Sequence, residues 1–159
     1  MRNRLLHITA LAVFVLDQAT KYIVVHAMNL REVGSIDVLP PFLNFRMGWN
    51  RGINFGLLAG DEAFMRWVLI AVALAIVGWV WWWMRREEHG PRAEISAGLL
   101  IGGALGNVVD RVLYGAVADF LNMSCCGIEN PYTFNVADIA IFAGAIGLIF
   151  FTGNGDKKA

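Results

Sequence analysis

Four apolar stretches, at residues 5–25, 63–84, 95 to about 118 and 134–152, decide what this chain can fold into. A helix that crosses the hydrocarbon core of a bilayer needs about 20 mostly apolar residues. Only helices and closed barrels satisfy their own backbone polar groups in lipid. Of the 159 residues 57% are hydrophobic and 16% charged, a balance that does not suit a water-soluble domain. The expected fold is therefore an all-α polytopic membrane protein: one membrane domain over 1–159 with four transmembrane helices. A net charge of zero suggests no nucleic-acid partner.

The first run follows a short basic start and carries Asp17 and Lys21 within it. Val25-His26-Ala27 has the small-residue pattern of a signal-peptide cleavage site, but Asp17 and Lys21 interrupt the apolar region that such a peptide needs. Retention as a spanning helix is expected. The second run ends in Trp79, Trp81, Trp82 and Trp83, the aromatic belt of a membrane interface. Glycines at 98, 102, 103 and 106 in the third run suit close helix packing.

Residues 29–62 differ in kind. Pro40-Pro41, scattered charges, glycines at 34, 48, 52, 56 and 60, and alternating runs such as Phe42-Leu43-Asn44-Phe45-Arg46-Met47 read as short strands and turns. With Phe42, Phe45, Trp49, Phe55 and Leu57 among them, a small sheet on the membrane surface is expected; the alternative is a plain connector. Seven basic residues (Arg2, Arg4, Arg85, Arg86, Arg92, Lys157 and Lys158) flank the runs on one side. The positive-inside rule then places both termini in the cytoplasm, and the 29–62 and 116–137 segments outside.

A rise of about 1.5 Å per residue puts Asp17 roughly 18 Å and Lys21 roughly 24 Å into the first span. Asn107 and Arg111 reach matching depths in the third. Ionisable groups at such depth face the bundle interior and pair. Asp17 and Lys21 are four apart and can pair with each other; Asn107 and Arg111 are also four apart, with Asp110 as a nearby partner. Each set can serve simply to hold helices together.

Asp119 and Asp138 carry the stronger argument. The third and fourth runs are consecutive, so the exit of one and the entry of the other share a face of the membrane. Repulsion between two acids at one mouth separates their affinities for a proton. One can then activate water while the other hydrogen-bonds a carbonyl, as in an aspartic peptidase. Taken alone, an acid at a loop-to-helix boundary is an ordinary cap. The pairing, with Asn135 three residues before Asp138, raises catalysis above that reading.

These residues resemble the lipoprotein signal peptidase, or signal peptidase II, family over nearly the whole chain. The motifs are Leu16-Asp17-Gln18-Ala19-Thr20-Lys21, Asn50-Arg51-Gly52-Ile53-Asn54-Phe55-Gly56, Gly103-Ala104-Leu105-Gly106-Asn107-Val108-Val109-Asp110-Arg111, Val117-Ala118-Asp119-Phe120 and Phe134-Asn135-Val136-Ala137-Asp138. The resemblance implies an inner-membrane aspartic endopeptidase, the target of the cyclic peptide globomycin. It would remove signal peptides from diacylglyceryl-modified prolipoproteins, cutting before the lipid-bearing cysteine. It implies Asp119 and Asp138 as the catalytic dyad and Asn107, Arg111 and Asn135 as polar residues around the scissile peptide. Asp17, Lys21, Asn50, Gly52 and Gly103 match other motif positions. It also implies a β cradle from the outer segment, no cofactor or metal, lipidated precursors and membrane lipid as partners, and a monomer with its site at the periplasmic face.

The 122–127 linker departs from the aromatic-rich segment associated with the family. Cys125 and Cys126 are adjacent, with Cα atoms about 3.8 Å apart, below the usual disulfide range, so free thiols or intermolecular pairing are expected. Against other chemistries, His7, His26 and His89 occur singly without H-E-x-x-H, and neither Ser124 nor Lys21 sits in a nucleophile motif. The alternative from another class is a small proton-coupled carrier or membrane assembly subunit that uses the intramembrane acids.

Overall fold

A computed structural model describes residues 3–52, 62–125 and 130–153 of the chain. Phe55 and Leu57 of the outer segment, Cys126 and the basic tail residues Lys157 and Lys158 lie outside the described residues.

Four long helices form the body. The first, α1 (Arg4–Lys21), continues into a π-helical turn over Tyr22–Ala27, and a one-turn α2 (Leu30–Val33) follows. Then come α3 (Glu62–Arg86), α4 (Pro91–Tyr114) and α5 (Val136–Gly153). Helix α4 is central and packs against α1, α3 and α5. Its glycines make this possible. A Cβ on Gly103 would stand 2.5 Å from the Ala137 carbonyl oxygen of α5, and one on Gly106 2.5 Å from the Asp17 carboxylate of α1. Neither contact leaves room for a side chain.

Among the described residues three helical segments are long and apolar enough to cross a membrane, Arg4–Ala27, Ala63–Arg86 and Pro91–Tyr114, and the apolar stretch Val136–Thr152 of α5 is shorter. Their outward faces carry exposed large apolar side chains, among them Leu11, Leu113, Phe142 and Ile149, the last 73% exposed. A water-soluble surface does not tolerate so continuous an apolar coat. Trp79 stacks on Trp83 at 5.8 Å, while Arg85 and Arg86 lie 4.8 and 4.2 Å over the Trp81 and Trp82 rings. This end of α3 is thus dressed for an interface.

The sheet is antiparallel, in the order β1 (Ser35–Leu39), β2 (Leu43–Asn50), β3 (Val117–Asn122). The first two strands come from the outer segment, as the alternation there predicts. The third corrects the expectation of a helix running to about Ala118. Gly115 takes the left-handed conformation (φ 79°) and gives its N–H to the Arg111 carbonyl at 3.1 Å, which ends α4 at Tyr114. Val117–Asn122 then pairs with β2, placing Gly48 opposite Asp119 and Asn50 opposite Val117.

Two apolar clusters mark opposite ends of the bundle. Leu6, Val80, Met84, Ala97, Ile101 and Leu148 join the long helices near the chain's N-terminus. Val24, Leu30 and Phe120, with Phe45 set edge-on to Phe120 at 5.9 Å, fix the sheet on the end of α1. The acid-bearing strand is thereby anchored on both of its flanks.

Candidate active site

Asp119 projects from the middle of β3 and is 3% exposed. Its Oδ1 accepts a hydrogen bond from Asn135 Nδ2 at 2.6 Å and its Oδ2 accepts one from Asn50 Nδ2 at 3.1 Å. Asn50 is held in turn: its Oδ1 accepts the N–H of Gly52 at 3.0 Å. That short loop needs φ 111° at Gly52, a conformation open to glycine, and a Cβ there would meet Leu69 at 2.6 Å. Gly52 thus aims Asn50 at the acid.

Asp138 sits in the first turn of α5. Asn135 Oδ1 accepts the Asp138 N–H at 2.9 Å, and Asp138 Oδ2 accepts the Asn135 N–H at 3.3 Å. This reciprocal exchange is a capping box built with Asn and Asp. The acid is therefore a cap, and the hydrogen bonds that make it one leave its other oxygen free to face the candidate site, so the two readings of the sequence are not exclusive. Its other oxygen, Oδ1, accepts from Asn107 Nδ2 at 2.9 Å. Asn135, fully buried, touches both acids and also donates weakly to Asn107 Oδ1 at 3.3 Å.

Burial, first, and the charge of Asp138, second, push the Asp119 carboxyl up to about 7, against the hydrogen bonds from Asn50 and Asn135, which favour the ionised form. A carboxyl placed there can hold a proton near neutrality. Arg111 donates from Nη1 to the Asn107 carbonyl at 3.4 Å and is within electrostatic range of both acids, but its Nε is buried with no partner.

Beneath lies an ion cluster. Lys21 Nζ donates to Asp17 Oδ2 at 2.8 Å, to Asp110 Oδ2 at 2.7 Å and to Asn107 Oδ1 at 3.2 Å. The Asp17–Lys21 pair is as expected. Asp110, however, pairs with Lys21 across helices and not with its neighbour Arg111, because its side chain faces α1 and not the site. Gln18 completes the cluster by donating to both carboxylates. The sequence offers Asp110 only as a partner for Arg111 and gives Gln18, inside its motif, no role; Gln18's place three residues before an intramembrane lysine and Asp110's match in depth were the available signals.

The fold thus assembles Asp17, Lys21, Asn50, Asn107, Asn135, Asp119 and Asp138 in one network, with Gly52 and Gly103 shaping its walls. Lys21 has all three of its donors engaged, and Ser124 bonds within its own loop, to Asn122 Oδ1 and the Asn130 N–H. A serine-lysine pair is therefore not formed. Among the described residues no group of three or more His, Cys, Asp or Glu side chains could hold a metal ion. Cys125 is disulfide-bonded, which corrects the expectation of free thiols.

Comparison with known proteins decides the family. The family model for signal peptidase (SPase) II matches residues 9–153. The chain belongs to the signal peptidase II family. A lipoprotein signal peptidase of Methylorubrum extorquens (strain PA1) is 44% identical over 142 residues, covering 89% of this chain and 81% of the relative. One from Alteromonas mediterranea is 41% identical over 98% of this chain and 84% of the relative. A bacterial membrane enzyme solved by the in meso method at 1.9 Å superposes with a TM-score of 0.77 at 31% identity, over 94% of this chain and 92% of that one. As a signal peptidase II the chain is a peptidase, hence a hydrolase. The apolar helices and the structural match make it a multi-pass membrane protein. Nothing supports the carrier or assembly-subunit alternative.

Proposed function

We propose that this chain is a membrane-embedded aspartic endopeptidase that removes signal peptides from diacylglyceryl-modified prolipoproteins, cutting just before the lipidated cysteine. The relatives named lipoprotein signal peptidase support the substrate class. One arrangement carries the aspartic mechanism: Asp119 and Asp138, from a strand and a helix start, are joined through Asn135, with Arg111 beside them.

The chemistry follows from the two environments. Asp119, the more buried acid, keeps the proton near neutral pH. The other acid then accepts a proton from water as its oxygen attacks the scissile carbonyl carbon. Protonated Asp119 and the free Arg111 Nε donate to the developing oxyanion. When the carbon–nitrogen bond breaks, the proton gained by the base passes to the departing amine. Hydrolysis by two carboxylates and water asks for no cofactor.

Four spans fit this reading. The 18 residues of α5 extend roughly 27 Å, near the thickness of a hydrocarbon core. Both termini are cytoplasmic, the sheet and the acids face the periplasm, and the enzyme works as a monomer of the inner membrane. The lipidated precursor approaches from the bilayer, its acyl chains remaining among the helices and lipids.

The test is cleavage of a purified diacylated precursor, followed by gel shift. Asp119→Asn and Asp138→Asn, each verified as folded by size exclusion, are expected to lower kcat by about 10⁴-fold or more, the scale seen when a member of a concerted catalytic set is removed. Substantial activity in either variant overturns the dyad.

A further inference from the structure

Each catalytic acid is preceded by a backbone N–H that a different buried carboxylate holds. Asp17 Oδ1 accepts from the Ala137 N–H at 3.0 Å, the amide immediately before Asp138. Asp110 Oδ2 accepts from the Ala118 N–H at 3.1 Å, the amide immediately before Asp119. Helix α1 thus grips the start of α5, and helix α4 grips β3. Whatever fixes these two carboxylates relative to each other fixes the spacing of the dyad.

Two groups span them. Lys21 supplies charge to both, but it also bonds Asn107, which touches Asp138. Gln18 is neutral, and no hydrogen bond joins it to either acid of the dyad. Its Nε2 lies 3.2 Å from Asp17 Oδ2, 3.1 Å from Asp110 Oδ1 and 3.3 Å from the Gly106 carbonyl oxygen. With Asp17 and Asp110 at most 1% exposed, water does not replace a lost donor there without cost.

We propose that Gln18 is a positioning residue that ties Asp17 to Asp110 and so sets the separation of Asp119 and Asp138. The proposal rests on the assignment of those two acids as the dyad. Without the tie, the two carboxylates repel across Lys21 alone, and β3 and the first turn of α5 drift apart. The shared water is then misplaced, and displacements of about an ångström cost up to 10²-fold in rate. The groups facing Asp119 are Asp138 and Asn135 at the start of α5, Asn50 from β2, Lys21 from α1 and Arg111 from α4. Of these, Asp138 changes most in distance, so its repulsion of the ionised Asp119 weakens.

Gln18→Met keeps the length and removes both donors. Assayed on the diacylated precursor, it is expected to lower kcat about tenfold or more, to leave KM within about twofold, and to move the alkaline limb of the pH–rate profile to lower pH. A role in helix packing alone would lower thermal stability and leave the limb in place. Unchanged kcat and limb in a folded Gln18→Met enzyme overturn the tie, while activity surviving in Asp119→Asn or Asp138→Asn overturns the dyad itself. If Gln18→Met does not fold, Ala137→Pro decides. It deletes the N–H that Asp17 holds and sets a ring against that buried carboxylate, in the first turn of α5 where the helix backbone itself tolerates proline. The same loss of kcat and the same shift of the limb are expected, and wild-type behaviour overturns the proposal.

Discussion

Asp119 owes its proton to where the fold puts it, and pH exposes that dependence in two measurements. With its carboxyl pushed up to about 7, it is protonated below neutrality and ionised above. If the protonated form donates to the oxyanion, kcat/KM falls as pH rises through about 7, and a profile flat across that region sinks the assignment of Asp119 as the donor. Stability carries the same signature with a definite sign. An unfolded aspartate titrates near 3.9, so between about 4 and 7 the folded state binds more protons at this site than the unfolded chain does. Its contribution to stability therefore falls as pH rises through that window. Asp119→Asn removes the titration, and its unfolding temperature in detergent should decline less than the wild type's between pH 4.5 and 7.5. Parallel declines would show that another group is responsible. Asp119 and Asp138 could both be recognised in the sequence, since acids beside apolar runs are expensive. What burial and neighbouring amides do to Asp119 could not, because Asn50 arrives from a strand 69 positions away.

At the level of elements, helix contacts are set by missing side chains. Gly103→Ala would drive a Cβ to 2.5 Å from the backbone oxygen of Ala137 in α5, the residue immediately before Asp138, and backbone cannot swing aside as a side chain can. Such overpacking costs about 1–3 kcal/mol and displaces the helix start that carries the acid. Gly78 in α3 is the control: a Cβ there meets nothing within 4 Å, and Gly78→Ala should be neutral or stabilise by up to about 1 kcal/mol through helix propensity. Thermal melts together with cleavage rates check the contrast; equal effects at the two glycines would remove close α4–α5 packing from the account. The glycine run of the third apolar stretch was visible in the sequence, as were the strands before it. The β3 strand was not, for a short apolar run such as Val117-Ala118-Asp119-Phe120-Leu121 has no period that separates strand from helix. The stop signal was nevertheless present, in Gly115 four residues after Arg111. The partner of Asp110 was equally beyond sequence, because helix α1 and not chain neighbourhood determines which cation it meets.

For the molecule as a whole, the separation between the sheet and the α3–α4 turn makes membrane orientation testable at two points. Helix α4 has 24 residues, which at about 1.5 Å each set the turn before Pro91 roughly 36 Å from the strand that follows Tyr114. A bilayer core is about 30 Å thick, so the proposed crossing of α4 puts the sheet and the turn on opposite sides. Arg85, Arg86 and Arg92 flank the turn, and the rule that basic flanks remain inside assigns it to the cytoplasm. Asp37 on β1 and Glu88 in the turn are both exposed and carry no part of the site. With Cys125 and Cys126 replaced by serine, a cysteine introduced at Asp37 should react with a membrane-impermeant maleimide on intact spheroplasts. One introduced at Glu88 should react only after the membrane is opened. The reverse pattern would turn the acids toward the cytoplasm and overturn the proposed periplasmic site. Labelling of both positions from outside would mean that α4 does not cross at all, and the depth argument linking Asp17, Lys21, Asn107 and Arg111 would fail with it.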